Sequence, residues 1–149
     1  MYLEIMPENK IKMKQIDGVT FIHCLVRKKW IQLTPEEKVR QFLVHYLTEE
    51  LNYPIKYISI EKKIVINQLS KRYDIVVYNY DLQPVILIEC KANHIKLNQE
   101  NLQQLLNYNI LLRTPYLMLS NGTEHLIYQL NENSMNRIEQ LPDKSVIFN

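Results

Sequence analysis

The chain has 149 residues, of which 46% are hydrophobic and 23% charged, and its net charge is +2. That length suits a single domain with a core of its own. The weak net charge excludes a whole-protein field as the source of affinity for nucleic acid, so local clusters would have to supply it. The only two glycines, Gly18 and Gly122, exclude a P-loop, whose motif spaces two glycines before a lysine, and a dinucleotide fingerprint, which needs three.

No run reaches the roughly eighteen apolar residues of a membrane span. The opening Met1-Tyr2-Leu3-Glu4-Ile5-Met6-Pro7-Glu8 carries an early acid and no apolar h-region, unlike a signal peptide. With Cys24 and Cys90 in apolar, strand-like runs, the expectation is a cytoplasmic protein with buried, reduced thiols.

In chain order, residues 1–33 read as a strand-rich extension, with a strand over 19–26. Arg27-Lys28-Lys29-Trp30 follows, a patch that offers cations and a stacking ring to nucleic acid, although a charge run is more often a solvated face. Thr34-Pro35-Glu36-Glu37 predicts a helix start, with Thr34 as N-cap, Pro35 at the first helical position and Glu37 as capping-box partner. That helix runs to about residue 51, with Val39, Leu43, Tyr46, Leu47 and Glu50 on one face, and Asn52-Tyr53-Pro54 stops it. Ile58, Ile60, Ile64 and Ile66 suggest a strand or bent hairpin. Two strands follow, over 73–79 and 85–91, joined by Asp81-Leu82-Gln83-Pro84.

A second helix is predicted over 98–112, with Leu102, Leu105, Leu106, Ile110 and Tyr108 at helical spacing. A strand over 116–119, the turn Asn121-Gly122 and a strand over 125–130 complete the pattern. Residues 131–149 read as a polar tail whose Ser145-Val146-Ile147-Phe148 docks as an edge strand or stays loose. The expected organisation is an α/β, mixed α+β, domain with a core over 34–130 and the order αβββαβ. Its central mixed sheet has four to five strands and helices on its flanks.

Chemistry concentrates in Asp74, Glu89 and Lys91. Alternation along a strand puts Glu89 and Lys91 on one face. By spacing alone this trio is as readily a strand-end ion pair as a site. Two carboxylates from neighbouring strands would suit Mg²⁺, a hard ion that prefers oxygen and keeps several waters. In such a site Lys91 would orient water or neutralise charge developing on phosphorus. Arg72, two residues before Asp74, shares that acid's face and would steady it or meet phosphate. Gln104 and Tyr108 stand at i, i+4 on one side of the second helix. Of the first helix's acids, Glu37 has a capping role and Glu36 lies nearer the sheet-facing side. Glu36 is the preferred further acid, with Glu37 left open. His23, His45, His94 and His125 show no metal-ligand spacing, and no Ser/His/Asp constellation is present.

Five groups of residues occur in order: Leu33-Thr34-Pro35-Glu36-Glu37-Lys38-Val39-Arg40-Gln41; Arg72-Tyr73-Asp74; Ile88-Glu89-Cys90-Lys91-Ala92; Gln104-Leu105-Leu106-Asn107-Tyr108-Asn109; and Leu119-Ser120-Asn121-Gly122. On these the chain, over roughly residues 25–130, resembles the PD-(D/E)XK nuclease superfamily. More narrowly, it is similar to the N-terminal nuclease domain of type I restriction enzyme R subunits, in a small standalone form. Tyr73 stands where the superfamily's name has proline. The resemblance implies a restriction-endonuclease-like core and Mg²⁺-dependent hydrolysis of DNA, with Mn²⁺ as a substitute. It implies metal ligation by Asp74, Glu89 and the backbone carbonyl of Cys90, catalytic roles for Lys91 and Glu36, and a site lined by Gln104 and Tyr108. It also implies action as a homodimer, or with a partner protein that supplies specificity. The alternative is a nucleic-acid-binding or assembly module that keeps the fold without turnover.

Overall fold

A computed structural model describes residues 11–149; the reading of Met1 to Glu8 lies outside the described residues. The architecture is mixed α/β, with a six-stranded sheet, a three-stranded sheet and helices.

The small sheet comprises β1 (Met13–Ile16), β2 (Val19–Cys24) and β3 (Lys29–Gln32), all antiparallel. β2 ends at Cys24, short of residue 26, because the chain turns there and the backbone N–H of Lys28 closes onto Cys24 O at 2.8 Å. Ile11, Ile22 and Phe42 are buried together with Ile31 and Leu33 packed around them, which fastens this sheet to α1 (Pro35–His45). Thr34 caps α1 by accepting from the backbone N–H of Glu37 at 3.0 Å, and Pro35 occupies the first turn. The helix widens into a π-helical turn over Tyr46–Glu50, where Leu51 N–H reaches Tyr46 O at 3.1 Å.

The large sheet runs β4 (Ile58–Ile66), β5 (Leu69–Tyr78), β6 (Pro84–Cys90), β7 (Tyr116–Ser120), β8 (His125–Asn131) and β9 (Ser134–Ile138), in that spatial order. All neighbours are antiparallel except β6 and β7. A parallel pair needs a crossover, and α2 (Gln99–Leu112) provides it. Asn98 and Asn101 cap α2 reciprocally. At its other end Arg113 takes a left-handed conformation, which costs a non-glycine residue about 1–2 kcal/mol. A buried clasp holds it there: Asn109 Oδ1 accepts from Thr114 N–H at 2.9 Å and from Thr114 Oγ1 at 2.7 Å.

The helices cover opposite faces. Val39 and Leu43 of α1, with Leu47 of the π-helical turn, pack with Ile58, Ile60, Ile75, Val77, Ile86 and Ile88. On the other face Leu105 packs with Tyr73, Val76, Leu87, Leu117 and Leu119. Ile110 is 67% exposed, contrary to the expected apolar stripe; α2 turns Leu105 and Asn109 inward, and at 100° per residue Ile110 falls on the outer side.

Beyond residue 131 the chain is structured differently from expectation. β9 extends the sheet by a hairpin with β8, and Lys144–Ile147 is a short helix, α3, rather than an edge strand. Asp143 caps it through Ser145 N–H, while Ile147 and Phe148 enter the core. Neighbouring positions on a strand face opposite ways, so the helical turn is what brings Ile147 and Phe148 to the same core together.

The β7–β8 loop turns at Asn121, whose side chain accepts from the N–H groups of Thr123 and Glu124 at 3.0 and 2.7 Å. Gly122 has φ +91°, and a Cβ there would sit 3.2 Å from Val39 Cγ2 of α1. Gly18 has φ +81° with open space around it. Gly122→Ala is therefore expected to lower stability by more than the roughly 1–2 kcal/mol of left-handed strain alone, and Gly18→Ala by about that strain. Urea unfolding of both variants checks the ranking; equal losses would mean that the approach of α1 to this loop is not tight.

Candidate active site

β5 and β6 pair from Ile75 opposite Ile88 to Tyr78 opposite Pro84 and then part. Asp74 and Glu89 are the next residues on either strand, so both acids stand where the sheet opens. Side chains from the α1 layer and the α2 layer meet at this gap.

Asp74 is buried. Its Oδ1 accepts from Arg40 Nη2 at 2.6 Å and its Oδ2 from the backbone N–H of Cys90 at 2.8 Å. Glu89 stands within the field of Asp74 and lies 3.8 Å from Lys91 Nζ. Burial first, and the Asp74 charge second, push the Glu89 carboxyl up to about 8, against the pull of Lys91. The trio of Asp74, Glu89 and Lys91 is brought together in one place.

Arg40 sits at the centre of the charges. Besides Asp74 it contacts Glu61 Oε1 at 2.7 Å and Glu36 Oε1 at 3.1 Å, and it pairs closely with Glu37. It is buried, and although burial alone would lower its pKa, the Asp74 and Glu37 charges raise it well above its ordinary value. Nothing in the sequence flagged Arg40 or Glu61. The available signal was that Glu36, Glu37 and Arg40 stand at i, i+3 and i+4 spacing on a helix.

The two acids of α1 divide differently from the capping scheme. Glu37 uses its backbone N–H for the cap, but its side chain is buried and accepts from Arg27, Arg40 and, at 3.0 Å, Gln41. Glu36 is half-exposed at the rim of the gap; burial first and Asp74 next raise its pKa, while Arg40 and Lys91 oppose the rise. Glu36 therefore shares the field of Asp74 and Lys91, and Glu37 is committed to holding arginines.

On the α2 side, Gln104 Nε2 donates to Tyr108 Oη at 3.0 Å, and Lys91 Nζ reaches Gln104 Oε1 at 3.5 Å. Tyr73, fully buried, donates its hydroxyl to Tyr108 O at 3.0 Å and ties the helix to β5. An open polar cleft of about 600 Å³, lined by Lys71, Glu100, Gln103, Gln104, Asn107 and Tyr108 among others, adjoins this pair.

Two expectations need correction. Arg72 does not steady Asp74; it is exposed and reaches Glu61 Oε2 at 3.5 Å, because Arg40 from α1 already occupies the acid. Arg27 does not join a surface patch; it turns inward to Glu37 and donates from Nε to Cys24 Sγ at 3.2 Å. Lys28 and Lys29 are exposed. Trp30 is covered by Lys14, whose Nζ lies 4.3 Å from the ring centroid, and meets His23 edge-on at 5.2 Å.

Ser120 and His125 form a pair at 2.8 Å, with Gly122 N–H donating to Ser120 Oγ at 3.0 Å. Burial lowers the His125 pKa to about 4, so the ring is neutral and serves the loop. Both cysteines are free and buried.

The donor set suits a hard cation in one respect. Two neighbouring carboxylates, one of them raised in pKa by burial and by the other's charge, form a site short of positive charge, and Mg²⁺ binds through one or two carboxylates plus water. Asp74 keeps lone pairs beyond its two hydrogen bonds. Among the described residues no group of three or more His, Cys, Asp and Glu side chains is arranged to hold a metal, so the fit is that of a two-carboxylate set. No helix among them is long and apolar enough to cross a membrane.

Residues 35–143 match the family described as type I restriction enzyme R protein N terminus. The match spans α1, the whole six-stranded sheet and α2. No curated protein matches the chain.

Removing the guanidinium while keeping the stem, Arg40→Met, leaves Glu37 and Asp74 short of a buried cation. The expected loss is about 3–5 kcal/mol in denaturant unfolding at neutral pH; a loss under about 1 kcal/mol would show that solvent reaches these acids. Glu89 gives a pH signature without metal. Its carboxyl titrates near 4.5 when unfolded and near 8 when folded, so the folded state binds more protons between those values. Stability is then present at low pH and is lost as pH rises toward 8. Glu89→Gln should match the parent below about 4.5 and exceed it in Tm above 8. A difference that does not change with pH would refute the raised carboxyl.

Proposed function

The chain belongs to the type I restriction enzyme R protein N-terminal family, and from that premise we propose that it is a divalent-cation-dependent nuclease domain acting on DNA phosphodiesters. The family carries the coarser statement, a restriction-enzyme, nuclease-like role. The observation supporting the finer one is the meeting of Asp74, Glu89 and Lys91 at the opening of the sheet, with the two carboxylates in each other's field and the ammonium 3.8 Å from Glu89. A restriction-endonuclease-like core fits the order of α1, three strands, α2 and the parallel return strand.

In this reading Asp74 and Glu89 would hold Mg²⁺, or Mn²⁺ in its place, with the carbonyl of Cys90 as a further ligand. The ion, when bound, polarises a phosphate oxygen and acidifies water. Arg40 and the Cys90 N–H fix the Asp74 carboxylate and so limit how it turns. Lys91, steered by Gln104, directs its ammonium at the attacking water and the charge that grows on phosphorus. Water would add to phosphorus as it loses a proton, the scissile P–O bond would break, and the leaving oxygen would take a proton from bulk water. Glu36 stands at the rim, where it can accept the proton that the water loses. Tyr108 fixes Gln104 rather than entering the chemistry. Lys29 and Trp30 lie on the separate small sheet, with Lys28 in the turn before them, and all three would serve binding.

One observation favours a second reading. Arg40 already neutralises Asp74, as suits a module that binds or assembles without turnover. Plasmid and single-stranded DNA incubated with Mg²⁺ or Mn²⁺ separate the two. The nuclease reading expects cleavage that falls at least about a hundredfold in Asp74→Ala and in Lys91→Ala, as for loss of a positioned charge. It also expects Mg²⁺ to raise the Tm of the parent and not of Asp74→Ala. Binding without cleavage by any form would establish the second reading.

A further inference from the structure

Past Asp74, among the described residues, β5 has no strand partner on the β6 side, and it continues with β4 alone as a two-stranded ribbon. The ribbon closes tightly at Asn67 and Gln68, both with positive φ, between Ile66 and its partner Leu69. Two-stranded ribbons gain little stability by themselves, so a long one that leaves the sheet calls for a role.

Its composition differs from that of the remainder. Residues 62–73 hold Lys62, Lys63, Lys71 and Arg72 and no acid. This stretch carries four positive charges in a chain whose net charge is +2, which leaves the other residues net negative by two. Lys63 stands directly across from Arg72, and like charges so placed repel. Both are exposed. They share the face that leads to Glu61 and Asp74, because Arg72 reaches Glu61. On the opposite face Lys71 lies over the Tyr108 ring at 4.7 Å and Lys62 over Tyr78 at 5.0 Å. Lys71 also lines the polar cleft that runs past Gln104, the partner of Lys91. Cations therefore flank the ribbon on both faces, and both rows point toward the same site.

We infer that the β4–β5 ribbon is a duplex-DNA-binding arm, seated in a groove with Lys63 and Arg72 toward one phosphate backbone and Lys62 and Lys71 toward the other. A two-stranded ribbon fits the major groove of B-DNA, about 12 Å wide. Lys63 and Arg72 stand directly opposed on one face, and Lys62 and Lys71 lie diagonally across the strands on the other, so each face offers two cations to a backbone. Opposed Lys63 and Arg72 become favourable once an anion lies between them. The inference rests on the nuclease reading for the choice of DNA and deepens it by naming a duplex as the form bound.

Fluorescence anisotropy in EDTA, with a duplex and a single strand of one sequence across a salt series, tests the arm without cleavage. Lys63→Ala/Arg72→Ala, and the same pair with Lys62→Ala/Lys71→Ala added, should weaken duplex binding about tenfold or more. The slope of log affinity against log salt should shrink by about 0.9 for each phosphate contact removed. Lys56→Ala/Lys144→Ala, on exposed residues away from the ribbon, should leave both unchanged. The alanine pair should not lower Tm, since it removes a repulsion; if it does, Lys63→Gln/Arg72→Gln takes its place in the same assay. Unchanged duplex affinity in the four-site variant overturns the arm while leaving Asp74-dependent cleavage as the measure of the nuclease reading. Loss confined to the single strand overturns the duplex assignment. Ribbon-dependent duplex binding in a protein that cuts nothing supports the arm and removes the nuclease reading.

Discussion

Arg40 is the interaction on which the polar architecture depends. One buried guanidinium meets Glu36, Glu37, Glu61 and Asp74, so it links α1 to both strands of the ribbon's base. A planar fork with five donors can serve several carboxylates at once, which a lysine ammonium at the same place could not do with fixed geometry. The balance is still incomplete. Glu89 lies beyond the reach of that fork, and its carboxyl is pushed up to about 8 because burial and Asp74 outweigh Lys91. Arg40 thus sets the orientation of Asp74 and leaves the Asp74–Glu89 pair as the remaining shortage of positive charge.

The place of that shortage follows from the sheet. β5 and β6 are held together by apolar pairs such as Ile75 with Ile88, and both faces are covered, by α1 on one side and α2 on the other. Polar side chains have no room between those layers. Where the strands part, the layers no longer seal, and groups from both sides can meet. Arg40 and Glu36 arrive from α1, and Gln104, positioned by Tyr108, arrives from α2. The parallel pairing of β6 with β7 makes α2 cross over the sheet, and the capped start at Asn98 fixes its near end beside Lys91.

Much of this was legible in the sequence, and the boundary is physical. Local signals carried α1 through Thr34 and Pro35, α2 through the spacing of Leu102, Leu105 and Leu106, and the turn at Asn121 and Gly122. The pairing of Glu89 with Lys91 followed from strand alternation, and Gln104 with Tyr108 from helical spacing. Arg40 was not legible as the holder of Asp74, because that contact joins residues 34 positions apart. Arg72 had the better local claim and lost it to a side chain from another layer. Arg27 looked like part of a surface run until the burial of Glu37 gave it an inward partner. Ile147 and Phe148 sit in a polar segment whose hydrophobic pattern suits either a strand or a helical turn, and only the core they fill decides between them.

In the proposed nuclease the same geometry would separate cutting from choosing. The carboxylates, Lys91 and the cations of the ribbon would all address phosphate or an ion beside it. Contacts of that kind fix register and orientation on a duplex and carry no sequence information directly. Bringing the ribbon's cations close to the site would therefore raise the local concentration of backbone around Lys91 for any sequence alike. A cluster as acidic as Glu36, Glu61, Asp74 and Glu89 would repel that backbone if left alone. Arg40 at its centre and the cation pairs on both faces of the adjoining ribbon would offset that repulsion along the two approaches, on the α1 side and through the cleft beside α2. In the proposed nuclease, the acidity that would attract a metal and the basicity that would attract DNA are thus kept apart on neighbouring lengths of the same two strands, with Glu61 and Asp74 at the boundary.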